Sequence, residues 1–152
     1  MKARRSRSGP LHAFWDSSAL LLLICQQSKS PAARRAQRKY QIMSVWWGTR
    51  VECHSALQRL IRDGDLSGKD ERLAFLSLER LSAHWVEIQP IEEVRQFAEK
   101  LLKLHTLRAA DALQLSAALI WCNRQPHGRN FICDDTKLLE AAEKEGFNVI
   151  RM

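Results

Sequence analysis

Residues 14–25 read FWDSSALLLLIC: two aromatics, one acid, two serines and then an almost unbroken apolar run. A carboxylate between two stretches that both belong in a core costs several kcal/mol, roughly, unless a helix N-terminus, a hydrogen-bonding partner or a cation compensates it. The pattern predicts a short strand, Leu11–Trp15, ending at Asp16, then a helix capped by Ser17 or Ser18 and running to about Cys25.

The same alternation continues outward. Ser30-Pro31 opens a second helix with proline at its first position, and Ile42–Trp47 is the next strand. Gly48-Thr49 leads into a helix over Arg50–Asp63, and a further helix ends near Ser82. The strand Trp85–Ile88, a helix over Ile91–His105 and a helix begun by LRAADALQLSAALIW (107–121) and ending near Asn123 follow. Phe131–Cys133 is a strand, Asp134-Asp135 begins a helix that Gly146 ends, and Phe147–Ile150 is the last strand. Strands alternating with helices define an α/β domain whose mostly parallel sheet is covered on both faces.

The 152 residues suit one compact domain, expected over residues 11–152 after a basic, disordered tail at 1–10. The net charge of +7 is unevenly placed, since residues 1–50 hold ten Lys/Arg and a single acid, Asp16. The tail (Lys2, Arg4, Arg5, Arg7) and the cluster Arg34, Arg35, Arg38 and Lys39 suit a polyanionic partner such as RNA, or equally a solvated helix face. Cys25, Cys53, Cys122 and Cys133 show no zinc spacing and no disulfide framework, so buried reduced thiols in a cytoplasmic protein are expected. The basic start before ALLLLIC imitates a secretory signal. Asp16 interrupts it, no small-residue cleavage site follows, and the run is too short to span a bilayer.

Four acidic positions fall at junctions of this plan: Asp16, Glu52, Asp111 and the pair Asp134/Asp135. Taken singly, each is explained by the preference for acids at helix N-termini. Taken together, they would line the edge where the C-terminal ends of the strands lie, and would repel one another without a cation. Hard oxygen ligands in that number suit Mg²⁺ or Mn²⁺. Ser18 stands where a dehalogenase-type phosphatase needs a second aspartate, and the acidic pair follows the fourth strand rather than the first, unlike a receiver domain. No GxGxxG or GxxxxGK[ST] loop is present.

With FWDSSAL (14–20), VECHSAL (51–57), LRAADALQLSAAL (107–119) and DDTKLLEAAEKEGFNVI (134–150) in this order, the chain resembles PIN-domain ribonucleases, and more narrowly the VapC-type toxins of bacterial toxin–antitoxin pairs. The resemblance implies a three-layer α/β/α domain with a five-stranded parallel sheet. It also implies an Mg²⁺- or Mn²⁺-dependent endoribonuclease, usually a homodimer, inhibited by a cognate antitoxin, with no membrane partner. It assigns Asp16, Glu52, Asp111 and Asp135 as catalytic metal ligands, with Ser17 and Asp134 supporting them. Cys133 departs from the family, which often has Thr or Ser two positions before the fourth acid; Asp134 would replace that hydroxyl or cap the helix. The implied chemistry is hydrolysis by activated water, leaving a 5′-phosphate and a 3′-hydroxyl.

His54 and the other histidines form no ligating pattern, and Trp46-Trp47 read as core more readily than as a base-stacking platform. The competing function is a catalytically silent PIN-like module that binds RNA or protein. A DNA-directed nuclease would share the same acids.

Overall fold

The computed structural model describes residues 11–152, so the expected disordered tail at 1–10 lies outside the described residues. The chain runs β1 (His12–Trp15), α1 (Ser17–Ile24), α2 (Ser30–Lys39), β2 (Ile42–Trp46), α3 (Thr49–Arg62), α4 (Gly68–Ser82) and β3 (Val86–Ile88). It continues through α5 (Glu92–Leu104), α6 (Ala109–Trp121), β4 (Asn130–Cys133), α7 (Thr136–Glu145) and β5 (Asn148–Arg151). All four strand pairings are parallel, in the order β3-β2-β1-β4-β5.

Side chains along one strand point alternately to opposite faces, and here each face has its own core. Ala13 and Trp15 of β1, Met43 and Val45 of β2 and Ile132 of β4 pack with α1 to α4. Phe14, Trp46, Phe131 and Cys133 pack with α5, α6 and α7. Phe14 and Phe131 stack with centroids 5.6 Å apart. The result is a three-layer α/β/α fold. Helix α1 is apolar nearly all round, as SSALLLLI predicts, and sits among α2, α3 and α4. It buries Ala19, Leu20, Leu22 and Ile24, each large side chain stabilising by about 1.5–3 kcal/mol.

Several sequence expectations change in detail. The cap of α1 is Asp16, not Ser17 or Ser18, because its carboxylate accepts the Ser18 N–H at 3.0 Å. Pro31 occupies the second position of α2, after Ser30. The tryptophan pair divides: Trp46 is buried, whereas Trp47, one residue beyond β2, is 49 % exposed. Gly48 gives Trp46 its space, since a Cβ there would lie 2.5 Å from the indole Nε1. Gly146 ends α7 with φ of 105°, a conformation that favours glycine. The four cysteines are free and buried. Among the described residues no helix is long and apolar enough to cross a membrane.

The strand order reverses direction between β1 and β4. In open parallel sheets the crevice outside the strand C-termini at such a switch point is where ligands bind. Asp16 follows β1, and Asp134 and Asp135 follow β4.

Candidate acidic site at the sheet edge

Asp16 is 3 % exposed, and its Oδ2 receives hydrogen bonds from the Ser18 backbone N–H and the Ser18 hydroxyl. The Cys133 thiol lies 3.5 Å from the same oxygen. Burial raises the Asp16 pKa, the bonds from Ser18 and Cys133 oppose the rise, and the negative charge of Asp111 adds to it. Cys133 therefore does part of what a hydroxyl would do at its position, and its sulfur also accepts the Asp135 N–H at 3.2 Å. Burial and the neighbouring Asp16 charge keep this thiol protonated.

Glu52 arrives from the other direction, on the first turn of α3. Its two oxygens are each held by a protein donor: Ser17 Oγ donates to Oε2 at 2.8 Å, and Gln114 Nε2 to Oε1 at 3.2 Å. Burial pushes the Glu52 pKa up to about 7, reinforced by the charges of Asp16 and Asp111 and opposed by the two donors. Gln114 is fully buried on α6 and also donates to Thr49 Oγ1 at 3.0 Å, so it ties the helices of one face to α3 on the other. Its Oε1 is buried without a partner among the described residues, an acceptor left over beside Glu52. Sequence reasoning missed Gln114. The signal was a lone amide three residues after Asp111 in the apolar run DALQLSAAL, on the same helix face as that acid.

Asp111 stands in the first turn of α6, whose cap is Arg108. Its pKa rises through burial and the charge of Asp135, against the backbone N–H and guanidinium of Arg108 and the charge of Lys137. Asp135 is exposed and caps α7, its Oδ1 accepting the Leu138 N–H at 2.8 Å. The alternative that Asp134 caps this helix is thereby corrected. Asp134 ion-pairs with Lys29 at 2.6 Å, and only its backbone N–H reaches inward, donating to Ser18 Oγ at 2.9 Å. A cavity of about 830 Å³ lies over Asp111, Asp134 and Asp135, with Arg108 and Lys137 also in its wall.

Carboxylates from both helical layers act on one neighbourhood: the charge of Asp111 raises the pKa of Asp16, those of Asp16 and Asp111 raise that of Glu52, and that of Asp135 raises that of Asp111. The cavity itself is lined by Asp111, Asp134 and Asp135 and not by Asp16 or Glu52. Among the described residues no three acidic, His or Cys side chains stand in a metal-ligating arrangement. Oxygens of Asp16, Glu52 and Asp135 accept hydrogen bonds from Ser18, from Ser17 and Gln114, and from the Leu138 N–H of α7, respectively. The donor chemistry, carboxylate oxygens beside an unpartnered amide oxygen, is of the hard oxygen type that suits a divalent cation.

The basic cluster Arg34, Arg35, Arg38 and Lys39 forms the exposed face of α2 opposite the buried Ala33 and Ala36, and no polar contact among the described residues links it to the acids. The histidines are engaged elsewhere, His12 with Ser44 at 2.8 Å and His105 with Glu145 at 2.6 Å, while His54 is exposed against Phe75.

This places the chain in a class by fold: a parallel α/β/α domain with a cavity lined by acids and two cations beside the C-terminal end of β4. The fold is similar to that in the crystal structure of PAE2754 from Pyrobaculum aerophilum, with a TM-score of 0.59 and 18 % identity over 91 % of this chain and 89 % of that one. No family model and no curated protein matches the sequence.

Proposed function

We propose that the protein is a metal-dependent endoribonuclease of the PIN-like, VapC-type toxin class. The observation that carries this is the junction around Glu52, held by Ser17 next to Asp16 and by Gln114 one turn after Asp111, with Asp111 and Asp135 sharing a cavity, at the edge where an open parallel sheet binds ligands. Asp16, Glu52, Asp111 and Asp135 would hold Mg²⁺ or Mn²⁺. Such an ion lowers the pKa of water to supply a nucleophile near neutral pH and offsets charge on the leaving oxygen.

The chain's own residues do the positioning. Ser17 and Gln114 fix both oxygens of Glu52, and Ser18 fixes Asp16 while receiving the Asp134 N–H, so two loops are tied to one carboxylate. Donors of this kind set the direction in which an acid presents its remaining electron pairs. In-line attack on phosphorus would leave a 5′-phosphate and a 3′-hydroxyl. A small antitoxin partner, a homodimer and a cytoplasmic location complete the proposal; light scattering and co-expression with a neighbouring small gene product test them.

Cleavage of a labelled RNA by the full chain should vanish in EDTA and return with Mn²⁺ or Mg²⁺. Asp16→Asn, Glu52→Gln, Asp111→Asn and Asp135→Asn should each reduce it by roughly 10²-fold or more, the scale of losing a group that acts directly on the reaction. Wild-type rates in all four variants would sink the proposal. The absence of a ready-made ligand triad among the described residues favours a second reading, a silent RNA- or protein-binding module. That module would bind RNA yet show no metal-dependent cleavage.

A further inference from the structure

The acids that would serve the chemistry also repel the substrate, because every nucleotide of an RNA carries a negative phosphate. A polyanion is held at such a site only where cations offset the field locally. Two cations line the acidic cavity. Arg108 lies at the N-cap of α6 and Lys137 in the first turn of α7, so they come from separate elements on either side of Asp111 and Asp135 in the chain. Both are exposed. Among the described residues neither forms an ion pair. Lys29, by contrast, is paired with Asp134.

Building on the nuclease reading, we infer that Arg108 and Lys137 form a cationic clamp that holds the phosphates of a single-stranded RNA over the acidic cavity. The guanidinium offers a planar fork for phosphate oxygens and the lysine a mobile point charge. The two are substrate-positioning residues. None of the four basic residues of the α2 cluster lines the cavity; α2 reaches its wall only through Lys29 at the N-cap, already paired with Asp134.

The test separates binding from chemistry. Binding of a short labelled single-stranded RNA to the full chain would be measured in EDTA across a potassium chloride series. Arg108→Gln with Lys137→Gln should weaken binding about tenfold or more at low salt and flatten the log–log salt slope by roughly 1.4, since each single-strand phosphate contact contributes roughly 0.7. Arg108→Lys should retain most of the slope. Lys144→Gln, in the last turn of α7, should leave it unchanged. With Mn²⁺ present, the double variant should raise KM and leave kcat within about threefold, the pattern of lost uniform binding. An unchanged slope in a double variant with wild-type melting temperature overturns the clamp, as does an equal loss in Lys144→Gln. If the clamp variants lose RNA affinity while Asp16→Asn cleaves normally, the clamp stands and the nuclease site assignment fails.

Discussion

At the end of β1, Asp16 caps α1 by accepting the Ser18 N–H at 3.0 Å; at the end of the adjacent β4, Asp135 caps α7 by accepting the Leu138 N–H at 2.8 Å. The two strands are hydrogen-bonded in parallel, with Trp15 opposite Ile132, so both acids leave the same edge of the sheet from adjacent strands. Their local geometry is nearly the same, but their surroundings are not. Helix α1 is covered by α2, α3 and α4, and Asp16 is sealed beneath it, whereas α7 lies on the outer surface and leaves Asp135 exposed. One capping motif therefore yields a carboxylate whose ionisation is opposed by burial and another that remains open to solvent. Local sequence makes the cap; the neighbouring layers set its electrostatics.

The sharpest way to break this pairing is to remove the buried charge. Raised folded-state pKa values mean that the native state binds more protons than the unfolded chain, so stability falls as pH rises. For Glu52 that loss runs from its ordinary value of 4.5 to about 7, and Asp16 shifts in the same direction. Without divalent cation, the wild type should be less stable at pH 8 than at pH 5 by this contribution. Asp16→Asn keeps an acceptor for the Ser18 N–H and should raise the melting temperature at pH 8 by several degrees, at roughly 2–4 °C per kcal/mol for a chain of this size. Asp135→Asn should change it little. Thermal melts in EDTA across this pH range read both; a drop for Asp16→Asn would show that its carboxylate stabilises the fold.

A smaller effect sharpens the other junction. Asp135→Ala removes a cap acceptor and should cost about 0.5–2 kcal/mol by urea denaturation, while Asp135→Asn costs much less. Equal losses would show that charge rather than capping matters there.

The smallest effect is expected next door. The Lys29–Asp134 pair has one half-exposed partner, so Lys29→Gln should cost no more than about 1 kcal/mol. Asp134→Asn should reduce RNA cleavage by roughly 10–100-fold at most, the usual range for a group that supports a metal site from outside it. A dead Asp134→Asn with an active Asp135→Asn would reverse the roles of the pair.

The succession of elements was legible in the sequence because apolar strands, punctuating Gly and Pro, and acids at strand ends are local signals. Asp16, Glu52, Asp111 and the pair Asp134/Asp135 could be marked from those signals, and the parallel character of the sheet, though not its strand order, follows from alternation. Local pattern could not divide the tryptophan pair, since which of two adjacent residues stays under the next layer depends on where β2 stops. Nor could it separate Asp134 from Asp135, because that choice turns on Lys29, 105 residues away. Gln114 holding Glu52 across 62 residues and the shared cavity of Arg108 and Lys137 belong to the same category. Sequence specifies capping and periodicity, which act within a few residues; the folded layers alone decide burial and distant partners, on which the shifts in pKa depend.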